Sequence, residues 1–194
     1  MLKIIVVADG ETDYLFIQKV FKADPDLSEL PISIIKPEDL GLKRRTGGGH
    51  KTLLNYAGLA AIKAAQGYAD GVFITVDNDG DPRFRFPHEN CGACRECEAL
   101  KELEKINWGN FRKGAVIFFQ AVETFLLSAK DGFTPQLEEE LFSQALKVKL
   151  YGRQVRNSQE MYTLFQEELK KTDIRKIRAR SYPRMKKAIS DMAA

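Results

Sequence analysis

The chain has 194 residues, 44% of them hydrophobic, with 30 Lys and Arg against 27 Asp and Glu. That length and apolar share are enough for a sizeable core and exclude a disordered or low-complexity chain. No apolar run reaches the ~20 residues a membrane helix needs, and the N-terminal run is cut by Asp9, so no leader or membrane role is expected and the cytoplasm is the expected location.

The first run, "LKIIVVA" (2–8), is nearly all apolar, as in a strand covered on both faces. "ETDYLFIQKVFKA" (11–23) follows with partial helical spacing, and "PISIIKP" (31–37) is a short strand between prolines. "KTLLNYAGLAAIKAAQG" (51–67) predicts a helix closed by Gly67. "GVFITV" (71–76) and "GAVIFFQ" (114–120) predict two more buried strands. Between them a polar insertion carries "CEALKELEKI" (97–106), a helical pattern. After "AVETFLLSA" (121–129) the strands stop, and 135–148, 158–171 and 182–193 read as helices. Strands alternating with helices imply βαβ crossovers, hence a mainly parallel, four-stranded, Rossmann-like α/β sheet with helices on both faces. The expected organisation is an α/β domain over 1–130, with a Cys-bearing insertion at about 82–113, and a helical basic extension over 131–194 packed on it.

In such sheets ligands sit at the carboxyl ends of the strands. Two acidic clusters begin where strands end: "ADGETD", with Asp9 and Asp13, and "DNDGD", with Asp77, Asp79 and Asp81. Carboxylates at alternate positions repel one another unless a cation lies between them. An EF-hand would need Gly at the sixth position and Glu at the twelfth, where this chain has Pro82 and His88. A turn accounts for Asn78 and Gly80 but not for three carboxylates. A hard divalent ion, Mg²⁺ or Mn²⁺, held by Asp77, Asp79 and a β1-end acid accounts for them and suits phosphate chemistry. Glu123, just after the last strand, is a further candidate ligand, or a favourable charge at its helix N-terminus.

"ADGETD" resembles the E-G-x-x-D/E motif after the first strand of TOPRIM (topoisomerase–primase) domains, and "DNDGD" resembles their D-x-D motif. Together with "AVETFLLSA" and the run from "LYGRQV" to "ARSYPRMKKAI", most of the chain is similar to a small TOPRIM-like branch related to OLD-type nucleases. That resemblance implies Mg²⁺-dependent phosphodiester chemistry on DNA or RNA, a separate ATPase as partner, and roles for Asp9, Gly10, Asp13, Asp77 and Asp79, with Asp81 a third acid. Asp9 stands where the family has Glu, one methylene shorter. The alternatives are a non-catalytic nucleic-acid- or partner-binding module and a small-molecule phosphatase or phosphotransferase.

"RRTGGGHKT" (44–52) leads glycines into a helix, so Gly48, Gly49, His50 and Lys51 are candidate phosphate contacts, or a linker. It lacks the Walker A spacing. Arg83 and Arg85 alternate with Phe84 and Phe86, which suits a phosphate grip or a short strand with its aromatic face buried. From Leu141 to Ala194 there are 13 Lys and Arg against 5 Asp and Glu, a net +8, which leaves the first 140 residues at −5. Such a tail attracts a polyanion or is simply solvated. His88, Cys91, Cys94 and Cys97, spaced by threes, are candidate ligands of a structural Zn²⁺; the alternatives are free thiols, which a stretch already helical would spread apart, and three-cysteine iron–sulfur ligation.

Overall fold

The computed structural model describes residues 1–43, 49–85, 88, 91–118, 120–140 and 143–194. Four strands, β1 (Leu2–Val7), β2 (Ile32–Ile35), β3 (Gly71–Asp77) and β4 (Arg112–Phe118), form an all-parallel sheet in the order β2-β1-β3-β4. Around it lie α1 (Glu11–Ala23), α2 (Pro25–Ser28), α3 (Gly49–Ala65), α4 (Arg95–Glu104), α5 (Glu123–Ser128), α6 (Pro135–Glu140), α7 (Ser143–Tyr151), α8 (Ser158–Lys171) and α9 (Ser181–Ala193). This is a Rossmann-like α/β fold.

The continuous Ile/Val runs are explained by burial on both sheet faces. Ile4, Val6, Phe73, Val116 and Phe118 face one hydrophobic cluster, while Ile5, Val7, Val72, Ile74, Val76 and Ile117 face the other. The second cluster is closed by α3 and α4, through Leu53, Ala57, Ala60, Ala61 and Leu103. The first joins α1 to the C-terminal helices. Phe16, Phe118 and Phe125 meet at centroid distances of 4.9 to 6.1 Å. Phe165, Tyr182, Met185 and Met192 from α8 and α9 complete that cluster, so the helical extension shares its core with the sheet.

Several elements differ from the sequence expectation. The run at 135–148 holds two described helices, Pro135–Glu140 and Ser143–Tyr151. Residues 82 and 83 form a turn closed by the Phe84 N–H on the Asp81 carbonyl, 3.3 Å, so the described part of the Arg/Phe alternation, residues 83–85, forms no strand. Phe84 is nevertheless buried. Two short elements with proline at their start, α2 and a 3₁₀ turn at Pro37–Leu40, are too brief to leave a periodic signal.

Candidate metal centres

The strand order reverses between β1 and β3, and in open parallel sheets that switch point leaves a crevice at the carboxyl edge. Asp9 and Asp13 follow β1, Asp77 ends β3, Asp79 lies in the next turn, and Glu123 opens α5 just beyond β4. Asp13, at the third position of α1, accepts the Gly10 N–H through Oδ2 at 2.7 Å. A Cβ on Gly10 would lie 2.9 Å from that same oxygen, so the close return of Asp13 requires glycine there. The second oxygen, Asp13 Oδ1, is buried and has no partner.

Asp77 has a matching buried, unpartnered oxygen, Oδ1. Asn78 Oδ1 and Gln120 Oε1, in the turns after β3 and β4, are also buried without a partner. Those turns are strained: among the described residues Asp79 and Gln120 are the non-glycine ones with positive φ, at 46° and 61°, and the Asp79 N–H reaches the Gln120 carbonyl at 3.3 Å. Unsatisfied buried oxygens are rare in folded proteins, and among the described residues four of the five lie at or after the carboxyl ends of strands, the fifth being Thr75 Oγ1 within β3.

The acids act on one another. Burial, then the charges of Asp9 and Glu123, push the Asp13 carboxyl up to about 8. Burial raises Asp77 well above the carboxylate range, reinforced by Asp13, Asp9, Glu123 and Asp79. Burial also raises Glu123, although Lys147 Nζ lies 3.9 Å away and the Tyr151 hydroxyl donates to it at 3.3 Å. Arg95 Nη1 donates to the Asp77 carbonyl at 2.9 Å and to Asp79 Oδ2 at 3.0 Å. The result is a group of mutually repelling carboxyls at three strand ends, flanked by Arg95 and Lys147. Among the described residues the acids are not gathered closely enough to form a metal-ligand cluster, and only the His/Cys group is.

Asp81 stands apart, because its carboxylate is held by the Arg83 guanidinium, which keeps it below the usual carboxylate range. Arg83 also donates to Glu98 at 3.0 Å, and His50 Nε2 meets the other Glu98 oxygen at 2.9 Å. Two of the expected phosphate contacts, Arg83 and His50, thus face acids of this chain. Gly49 opens α3 and Lys51 is exposed on it, while Gly48, Arg44 and Arg45 lie outside the described residues.

The cysteines come together. α4 begins at Arg95, so Cys91 and Cys94 precede the helix and only Cys97 lies within it. The ligand atoms of His88, Cys91, Cys94 and Cys97 all lie within 4.8 Å of one another, a set that can hold a metal ion such as zinc. Tetrahedral zinc with bonds of about 2.3 Å to sulfur sets sulfurs about 3.8 Å apart. The Cys91–Cys97 and Cys94–Cys97 sulfur separations are 3.8 and 3.5 Å, and His88 Nε2 lies 3.2 and 3.8 Å from the sulfurs of Cys94 and Cys97. Backbone N–H groups of Ala93 and Cys94 hold the Cys91 thiol down at about 6, while burial pushes Cys94 up to about 12.

Among known proteins the chain finds no matching family model, curated protein or solved structure. Asn78, Arg95, Gln120, Lys147 and Tyr151 escaped the sequence reading. Arg95 and Asn78 had a signal, each one residue from a candidate ligand, although Asn78 was read only as a turn former.

Proposed function

We propose that the protein is a Mg²⁺-dependent phosphodiester hydrolase acting on nucleic acid in the manner of a TOPRIM-type nuclease, with a structural zinc ion in the thiol centre. The carrying observation is the pair of buried, unpartnered oxygens on Asp13 and Asp77, carboxyls whose burial is aggravated by the charges of neighbouring acids at the switch point. Asp9, Asp77 and Asp79 would hold the hard ion, with Asp13 and Glu123 beside it; Mg²⁺ suits oxygen donors and needs few of them. Bound there, the ion would neutralise phosphate charge and favour ionisation of an attacking water. Arg95, already on Asp79, is placed to offer its guanidinium to a phosphate oxygen. Asp13, with its carboxyl near 8, can hold or release a proton at neutral pH.

One observation favours a second reading, a small-molecule phosphatase or phosphotransferase. Seven of the nine cations between Lys170 and Lys187 hold carboxylates or carbonyls of this chain: Lys171, Arg175, Arg178, Arg180, Arg184, Lys186 and Lys187. Arg180, Arg184 and Lys186, which hold buried carboxylates, are poorly placed to track a polyanion. The deciding experiment incubates the protein with plasmid DNA, RNA and small phosphate esters, with Mg²⁺ or Mn²⁺, beside Asp77→Ala. Nucleic-acid cleavage lost in the variant supports the nuclease, and ester hydrolysis alone supports the second reading. Inactivity on all three removes the hydrolytic proposal.

A further inference from the structure

We propose that zinc in the thiol centre fastens the C-terminal helix α9 to the α/β body through Glu96 and Arg184, which act as positioning residues for His88. The proposal rests on the zinc assignment above and is independent of chemistry at the acidic cluster.

Glu96 lies in the first turn of α4 between the ligands Cys94 and Cys97 and is 4% exposed. A carboxylate so deeply buried needs strong partners. Its Oε2 accepts the Ile117 N–H at 2.7 Å, on the edge strand β4. Its Oε1 lies 3.3 Å from His88 Nδ1 and 2.5 Å from Arg184 Nη2. One side chain therefore joins the sheet edge, the imidazole and α9. Phe84 stacks on the His88 ring at 4.7 Å, and the Arg184 guanidinium lies 5.3 Å from the same phenyl ring. Residues far apart in the sequence, His88 and Arg184, thus share one buried knot.

The proton on His88 links this knot to the metal. A metal ion on Nε2 takes that nitrogen's lone pair and leaves the proton on Nδ1, where Glu96 accepts it. Arg184 can only donate, so its approach to Nδ1 at 3.0 Å is a hydrogen bond only in the other tautomer, with the proton on Nε2 toward Cys94. Zinc selects the first arrangement. Glu96 then binds His88 and Arg184 together, and the guanidinium balances its charge. Coupling of this kind is reciprocal: what zinc adds to the docking of α9, docked α9 adds to zinc affinity.

The test measures zinc per chain, then zinc affinity by competition with a chromophoric chelator, for the wild type, Glu96→Gln, Arg184→Gln and Arg184→Lys. The wild type should hold one zinc, and the two Gln variants should bind it about 10 to 100 times more weakly, with Arg184→Lys in between. A second measurement needs no variant: amide exchange across residues 181–193 should speed up when zinc is stripped from the wild type. A wild type without zinc overturns the zinc assignment and the link with it. Bound zinc with unchanged affinity in both Gln variants, or with exchange in α9 indifferent to zinc, overturns the link alone.

Discussion

Asp13 and Asp77 each bury a carboxylate oxygen that no donor satisfies, and the neighbours of that oxygen are other acids. An unsatisfied buried polar group destabilises by about 1–3 kcal/mol, so the metal-free cluster should weaken the fold. Asp77→Asn replaces a carboxyl that burial keeps protonated with a neutral group of nearly the same shape, so it should leave the melting temperature of the metal-free protein nearly unchanged while abolishing its stabilisation by Mn²⁺. Calorimetry with and without the ion checks both. The sign of the pH dependence follows from Asp13. Between its ordinary 3.8 and about 8 the folded chain keeps a proton that the unfolded chain has lost. Stability of the metal-free protein therefore falls as pH rises through that window. Metal binding expels the protons of Asp13 and of the ligand Asp77, so Mn²⁺ affinity should rise with pH by about tenfold per pH unit for each proton released. Titration calorimetry in two buffers of different ionisation enthalpy would count the protons released.

At the next scale up, element ends rather than element bodies place the chemistry. The N-terminal turn of α4 carries Arg95 to Asp79, Glu96 to the β4 edge and Cys97 to the thiol centre. Three consecutive helical residues can face three partners because each step turns the side chain by about 100° around the helix axis. The chain then returns to β4 over the end of α3, where Gly109 has a φ of 73° and a Cβ would lie 2.7 Å from the Ala65 backbone. Gly109→Ala should cost on the order of 1–3 kcal/mol from its left-handed backbone alone, with more from the clash. A lower urea midpoint with an unchanged slope would show it; an unchanged midpoint would mean the α3 end moves freely aside.

Across the whole molecule, the cationic end is also a fastening. Arg180 pairs with the fully buried Glu138, and Lys186 with buried Asp24, which also accepts the Tyr182 hydroxyl at 2.6 Å. Separating such pairs to reach a phosphate would strand buried carboxylates, a cost that exposed pairs like Lys187–Asp191 do not carry. Nine free cations would give a salt slope near ~8 in log–log binding to duplex DNA. With Arg180, Arg184 and Lys186 kept on buried Glu138, Glu96 and Asp24, six cations remain and a slope of at most ~5 is expected, measured by fluorescence anisotropy across a salt series.

Continuous apolar runs alternating with helical patterns determined the parallel sheet, because burial on both faces leaves no other periodicity to write. Acids placed directly after those runs, Asp9, Asp13, Asp77, Asp79 and Glu123, were readable for the same reason: a strand end is visible in one dimension. Asn78 and Gln120 were not, since a neutral amide matters here only through being buried without a partner. The thiols were legible as residue types but not as a centre. Helical phase would scatter spacings of three, and only a helix start at Arg95 lets Cys91, Cys94 and Cys97 converge. The tail's charge was plain in the composition, yet its use was not. Which cations meet solvent and which meet Glu138, Glu96 or Asp24 depends on helices packing across more than forty residues of chain, and that choice belongs to three-dimensional packing.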